Sequence, residues 1–470
     1  MSAGVLPYEV EVVEDCGAVT ARSGLPLVWE AMRALGVESA ICTEVRVRSR
    51  ARGSSEVAMI EWLVALLVAG GTCLDDLRVL AADDGLCRLV GERPPSADAA
   101  RRFLYAFHDE ERITQAQERA QARQQSAFIV EENEALQGLG RVQQALVAAV
   151  AARGKATRAT LDHDATVVDS HKRQALPHYK GGRGYQPSVI YWAEQDLVVG
   201  DEFRDGNVPA GMGNLRLIRQ GFASLPATVE TYRFRADSAC YDNEVLQWLV
   251  DPQREGGPQG EIGFTISADM SQELRGKCES VVESRWEVVE ERADETVCCA
   301  EVEFTPGQWP KKAAALRYVV LRIRKRQGCL FASGNDTKYL AVVSNRWELS
   351  APELLRWHWG KAGTIEHVHD VTKNELAAGV LPCGRFGANA AWYRLVLLAY
   401  NVISALKAIA LPAHFSPARP KRLRFAVFAI AGRLISHAGR LRVRISAAAE
   451  QIAGLLSARR QLYELASAPT

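Results

Sequence analysis

Several patterns are missing from this 470-residue chain. Its ten cysteines include no C-x-x-C pair, and the one close spacing, Cys298–Cys299, is adjacent and poorly suited to a strain-free bridge. That argues against a cysteine-held metal and favours reduced thiols. No G-x-G-x-x-G or G-x4-G-K-[ST] loop follows a strand-like run, so a small-molecule nucleotide cofactor is not expected. The Met1 end lacks a basic-then-apolar leader. The most apolar window, residues 57–69, carries Glu61 and falls short of the roughly 20 residues that a bilayer span requires. A buried core helix is expected there, with no membrane partner and a cytoplasmic location. Repeats and low-complexity tracts are lacking too. Net charge is +1 with a pI near 7.6, so any affinity for nucleic acid must come from how charge is distributed.

What is present describes an ordinary globular composition, 48% hydrophobic and 24% charged, on a chain too long for one core. Residues 1–156 read as a helical region. GLPLVWEAMRALG and the 57–69 run have helical length and apolar stripes. After Pro94-Pro95, Ser96 is placed to cap a helix that has Asp98 in its first turn and Phe103, Leu104 and Phe107 on its apolar side. Arg101 and Arg102 on that helix could enter a DNA groove, or could form the solvated face of a bundle helix.

From about residue 157 the period changes to that of strands, at 159–168, 187–195 and 197–203. A helix follows at GNLRLIRQGFASL, then a strand at 228–237, a helix at CYDNEVLQWLVD and a strand at 261–269. This β-β-β-α-β-α-β order is that of an α/β, RNase H-like mixed sheet with helices on both faces. Alternation puts Asp162 and Asp164 on one side of the first strand, and the fourth strand ends at Asp237. Residues 280–345 alternate as an all-β insertion, with hairpin turns near Gln327-Gly328 and Gly334-Asn335. One face of it looks basic (Arg317, Arg322, Arg324, Lys325, Arg326). Helix resumes at SAPELLRWHW, with Ser350 and Glu353 spaced as a capping box, and GTIEHVHDVTKNEL places Glu366 on another helix. Three acids converging from distant elements are what a pair of magnesium ions requires: hard oxygen ligands with positions left open for phosphate and water. His367 and His369 are two apart on a helix and face different directions, which argues against a zinc site.

The C-terminal seventy residues are basic. Lys407, Arg419, Lys421, Arg422, Arg424, Arg433, Arg440, Arg442, Arg444, Arg459 and Arg460 face only Glu450 and Glu464. Leu423, Val427, Ile430 and Leu434 suggest a helical stripe, and RLRVRIS suggests a half-buried strand. So unbalanced a run in a neutral chain points to phosphates.

With these residues in view, the chain resembles the DDE transposases of bacterial insertion sequences, in the cut-and-paste group whose catalytic domain carries an internal β insertion. The marks are LDHDAT, HYKGGRGYQP (178–187), FRDGN (203–207), RADSACY (235–241), the IEHVHDVTK stretch ending at Lys373, and FGANAAWYRLVLLAYN (386–401). The resemblance implies a catalytic, metal-binding triad of Asp164, Asp237 and Glu366 holding two Mg²⁺ ions, with Mn²⁺ able to substitute. Asp162 and Asp169 remain rivals to Asp164. It also implies cleavage of transposon ends by phosphodiester hydrolysis, strand transfer to target DNA, double-stranded DNA and a homodimer as partners, and a bacterial nucleoid-associated location.

DNA contacts would fall to Lys180, Arg183, Lys361, Lys373, Arg101, Arg102, Arg422, Arg424, Arg442 and Arg444. The group's Y-x2-R-x3-E-x6-K signature keeps Glu366 and Lys373 here, has Trp359 for the tyrosine and lacks the arginine at Ala362. Lys361 or Arg356 could supply the missing contact. Trp286, Trp309 and Trp347 are candidates to stack on a flipped base. The expected divisions are a helical DNA-binding region (1–156), a catalytic domain in two parts (157–279 and 346–408) around the insertion (280–345), and a basic DNA-binding or dimerisation region (409–470). A catalytically inactive DNA-binding relative and a structure-specific nuclease are the alternatives.

Overall fold

The computed structural model describes residues 18–47, 53–307, 309–325, 330–331 and 333–467, with backbone alone at 2–3 and 9–10. Arg326 and the turn expected at Gln327-Gly328 lie outside the described residues. The N-terminal region is helical, as its periodicity predicts. Its main helices are α1 (Leu27–Ala34), α2 (Glu56–Ala69), α3 (Ala97–Tyr105), α4 (Glu110–Ala122) and α5 (Glu134–Gly154). Ser55 Oγ caps α2 by accepting from Ala58 N, and Ser96 Oγ caps α3 by accepting from Ala99 N. The buried charge on α2, Glu61, is matched by Arg33 of α1 at 2.9 Å. The apolar 57–69 run is therefore a core helix.

The strands then assemble one nine-stranded mixed sheet. In chain order they are β1 (Arg158–Ala165), β2 (Ser188–Trp192), β3 (Leu197–Glu202), β4 (Thr231–Ala236), β5 (Ile262–Ala268), β6 (Glu287–Glu291), β7 (Glu295–Val302), β8 (Arg317–Lys325) and β9 (Thr337–Ser344). Their spatial order is β6-β7-β8-β9-β5-β4-β1-β2-β3. β4 runs parallel to both β1 and β5, and every other pairing in the sheet is antiparallel. The parallel pairs need crossovers, which α6 (Asn214–Ala223) and α7 (Asn243–Val250) supply. Every residue of β2 and β3 is buried, so both faces of that edge are covered. The all-β stretch at 280–345 joins the far edge of the same sheet through β9 on β5.

Among the described residues, most of its basic face is matched by acids, with Arg324 left half exposed. Arg317 pairs with Glu301 at 2.6 Å, Arg322 with Glu283 at 2.6 Å and Lys325 with Asp294 at 2.8 Å. A list of basic residues along one strand misses the acids that neighbouring strands and turns bring alongside.

Beyond the sheet come α8 (Ala351–Trp359), α9 (Ile365–Glu375) and α10 (Phe386–Ile409). The expected capping box of Ser350 and Glu353 opens α8. By length and apolarity alone α10 could cross a bilayer, but 83% of its most apolar window is buried inside the protein. Several of its polar residues tie it to its neighbours. Asn401 both donates to and accepts from the Val198 backbone at 2.8 Å, and Arg394 pairs with Asp201 at 2.9 Å and Glu132 at 2.7 Å.

The helical stripe expected over Leu423, Val427, Ile430 and Leu434 is not formed. After a single turn at Pro420–Leu423 and a wider one at Arg424–Phe428, the chain becomes strand β10 (Gly432–His437). β10 pairs with Val19 and Thr20, about four hundred residues earlier in the chain, a partner that local periodicity cannot reveal. Ala438 and Gly439, both at positive φ, turn β10 into β11 (Arg440–Ile445). The 440–445 strand is as expected, but it is less covered than "half-buried": Leu441 is 48% exposed. A last helix, α11 (Ala449–Ser467), lies against α1, with Arg459 paired to Glu30 at 2.9 Å.

Candidate active site

Register decides which acids meet. On the parallel β1–β4 pair, Arg235 stands level with Asp162. Two residues further along lie Asp164, still on β1, and Asp237, just past the end of β4, where it caps the turn at Ser238–Cys240. Side chains two apart share a face, so all four of these residues point to the same side of the sheet.

Asp162 and Asp164, indistinguishable by alternation, have opposite surroundings. Asp162 is fully buried, and its oxygens accept from Arg235 Nε at 2.7 Å and Nη2 at 2.8 Å and from the Thr364 hydroxyl. Arg235 Nη1 also donates to the Trp357 carbonyl at 2.8 Å. Asp162 is thus a buried structural anchor that pins the start of α9 to β1. Asp169, the other rival, is hydrogen-bonded to His178 at 2.8 Å in the small sheet of the 168–185 loop.

Asp164 is different. Among the described residues, its carboxylate accepts a hydrogen bond only from the next backbone N–H, Ala165, at 3.1 Å. Lys361 Nζ and His369 Nε2 each stop at 3.7 Å from its oxygens, beyond hydrogen-bond range. Burial pushes the Asp164 carboxyl up to about 6, and the like charges of Asp237 and Glu366 add to this against the pull of Lys361. Asp237 turns one oxygen to Ala239 N at 3.0 Å. Glu366, in the first turn of α9, is exposed. Among the described residues, no three His, Cys, Asp or Glu groups already lie at shared-ligand distances, so the carboxylates are neighbours rather than a closed cage. Their donor chemistry nevertheless suits a hard divalent cation: oxygens from three elements, one of them buried among like charges that a cation would relieve.

Beneath this layer the polar groups are satisfied. His163, on the other side of β1, meets Ser188 Oγ at 2.8 Å and Cys240 Sγ at 3.1 Å. His358 meets Ser267 Oγ at 3.1 Å and Thr265 Oγ1 at 3.0 Å. Burial pushes His358 down to about 3.

The cations expected to grip DNA fall into four groups. Lys361 and Lys373 line the site. Lys361 is 8% exposed and sits beside Asp164, while Lys373 donates to the Val167 carbonyl at 2.9 Å and is held below the usual lysine range by burial and by Lys180. Arg183 and Arg424 are engaged with backbone. Arg183 donates to the Ala175 and Arg173 carbonyls at 2.8 Å, closing the glycine-rich loop, and Arg424 donates to the carbonyls of Val68, Leu67 and Glu375. Arg101 is paired with Asp98 at 2.5 Å. Arg102, Lys180, Arg422, Arg442 and Arg444 are exposed.

The glycine of that loop has a packing reason: a Cβ on Gly184 would stand 2.2 Å from the Val168 carbonyl oxygen. The C-terminal charge excess is also smaller than the sequence suggests. Arg419 meets Asp370 and Glu375, Lys407 meets Asp196 and Arg459 meets Glu30. What stays open is the β10–β11 hairpin, with Arg433, Arg440, Arg442 and Arg444 exposed. Of the tryptophans, Trp286 is stacked under Arg322 at 4.5 Å, Trp309 donates to the Ala314 carbonyl at 3.1 Å and Trp347 is 59% exposed.

Sequence reading missed His369 as part of this group. It is 6% exposed, and neither ring nitrogen has a hydrogen-bond partner. Burial, with Lys373 and Lys361 nearby, pushes it down to about 3. The signal available was its spacing of three from Glu366, which puts both on one helix face.

A search of curated proteins returns no match. Among solved structures, five chains match. One is described as a cryo-EM structure of the piggyBac transposase synaptic complex with hairpin DNA; it is 10% identical, covers 81% of this chain and 73% of that chain, and has a TM-score of 0.41. The family described as transposase DDE domain, group 1, matches residues 5–467, nearly the whole length. The chain belongs to that family of DDE transposases.

Proposed function

We propose that this protein is an active transposase, built on an RNase H-like core, that binds the terminal inverted repeats of an insertion sequence, cuts the DNA ends and joins them to target DNA. Family membership supports the class. The β3-β2-β1-β4-β5 order, with β1, β4 and β5 parallel, supports the core, which β6–β9 extend as an insertion. The observation that supports the chemistry is that Asp237, just past the end of β4, and Glu366 on α9 lie near enough to Asp164 for their like charges to raise its carboxyl.

In this reading Asp164, Asp237 and Glu366 hold divalent cations, Mg²⁺ in the cell and Mn²⁺ as a substitute. Bound there, such ions supply an activated water and stabilise the departing 3′ oxygen. Lys373 and Lys361 flank the acids and would hold the phosphate that is cut. Exposed arginines on the β10–β11 hairpin, with Arg102 and Lys180, would track the DNA backbone without reading bases. Two ends must be paired, so a homodimer on DNA is proposed, as is a cytoplasmic, nucleoid-associated location.

The test is direct. Purified full-length protein, Mg²⁺ and a duplex ending in the inverted repeat that flanks its reading frame should yield ends cut at the repeat boundary. A pre-cleaved end should then be joined to plasmid DNA. Binding without nicking would make this an inactive DNA-binding relative, and nicking without joining would make it a nuclease.

A further inference from the structure

His369 is the one buried titratable group at the site that the proposed chemistry does not use. A buried polar group without a partner destabilises the fold, and native structures seldom tolerate one without a role. Here both ring nitrogens are orphaned, on a side chain 8% exposed, with Nε2 turned toward Asp164 Oδ2 at 3.7 Å. The nearby polar groups do not satisfy it. Lys361 is a donor that lies against Asp164, Lys373 donates to the Val167 carbonyl, and His163 is taken by Ser188 and Cys240.

A separation of 3.7 Å is too long for a hydrogen bond but close to that of two ligands on one ion. Donors each about 2.1 Å from a shared ion stand roughly 3.0–3.6 Å apart at angles between square and trigonal. Glu366 and His369 also form a Glu-x-x-His pair on one face of α9. That spacing places a carboxylate and an imidazole on the same metal centre in helical carboxylate proteins. His367, two residues before His369, is exposed, on another face of the helix.

We propose that His369 Nε2 is a nitrogen ligand of the divalent-cation site formed by Asp164, Asp237 and Glu366. This rests on the reading of those acids as a cation site and adds a ligand type to it. An imidazole donor favours Mn²⁺ and later first-row ions over Mg²⁺ more than an all-carboxylate site does. The site is thus biased toward manganese by one side chain.

The probe is Mn²⁺ itself, added to full-length protein with and without a short DNA duplex, and read by pulsed electron paramagnetic resonance for coupling to nitrogen and by calorimetry for affinity. Wild type and His367→Ala should show ¹⁴N coupling from one imidazole. His369→Ala and the better-filling His369→Gln should lose it, with Mn²⁺ affinity down about tenfold or more and Mg²⁺ affinity down less. Bound Mn²⁺ without nitrogen coupling in wild type overturns the ligand role of His369 and leaves the three acids standing. No Mn²⁺ bound in either condition overturns both. Because the decisive measurement is on wild type, a variant that fails to fold does not rescue the proposal.

Discussion

Two layers of the same strand face, one residue pair apart, follow opposite rules. In the lower layer, Asp162 has its oxygens matched by Arg235 and Thr364, and the buried histidines near it, His163 on the opposite face of β1 and His358 on α8, are each bonded to hydroxyl or thiol partners. In the upper layer, among the described residues, the Asp164 carboxylate keeps a single hydrogen bond, from a backbone N–H, Glu366 is exposed and the His369 ring nitrogens have no partner. Burial is not what separates them, since Asp162 and His369 are both buried. Satisfaction is. A fold that pairs every charge in one layer and leaves the next open has spent stability at the open one, which is the expected signature of a site awaiting a cation and a phosphate.

Breaking the lower layer should have the larger effect on folding. Asp162→Ala strands the Arg235 guanidinium in the interior, and removing one partner of a buried pair costs about 3–5 kcal/mol. Chemical denaturation should show that loss, together with a loosened start of α9, because the Thr364 anchor goes too. A change below about 1 kcal/mol would mean that Asp162 is not the anchor described.

The upper layer should respond with the opposite sign. Folding raises the Asp164 carboxyl, so the folded protein holds this proton to higher pH than the unfolded chain does. Its contribution to stability is present below the ordinary 3.8 and is lost as pH rises to about 6. Asp164→Asn should therefore stabilise the cation-free protein above pH 6, by on the order of 1–3 kcal/mol, and have little effect near pH 4. Added Mg²⁺ should stabilise wild type above that pH and leave the asparagine variant unmoved.

Much of this was legible in the sequence. Alternation set Asp162 and Asp164 on one face, the strand and helix order gave the sheet core, and Ser96, Ser350 and Glu353 marked helix starts. Choosing between Asp162 and Asp164 required knowing that Arg235 would lie level with the first of them, a register set by a strand about seventy residues away. The same limit hid the fates of Arg183 and Arg424, whose donors are absorbed by carbonyls that no local pattern predicts. It produced the false helix at 423–434 as well, where four apolar residues fell on a helical period while Gly432 and Arg433 paired with the start of the chain. Charge along a chain is visible from sequence; what the fold places opposite it is not.

The most direct test of the account is the cutting activity of Asp237→Ala, a residue of the upper layer whose carboxylate makes no ion pair among the described residues. On an inverted-repeat duplex with Mg²⁺, the folded variant should bind DNA as wild type does. It should lose cleavage by on the order of 10²–10³-fold or more, the scale set by removing a principal electrostatic stabiliser. Cleavage by that variant at the wild-type rate would contradict the assignment of this carboxylate layer as the catalytic centre.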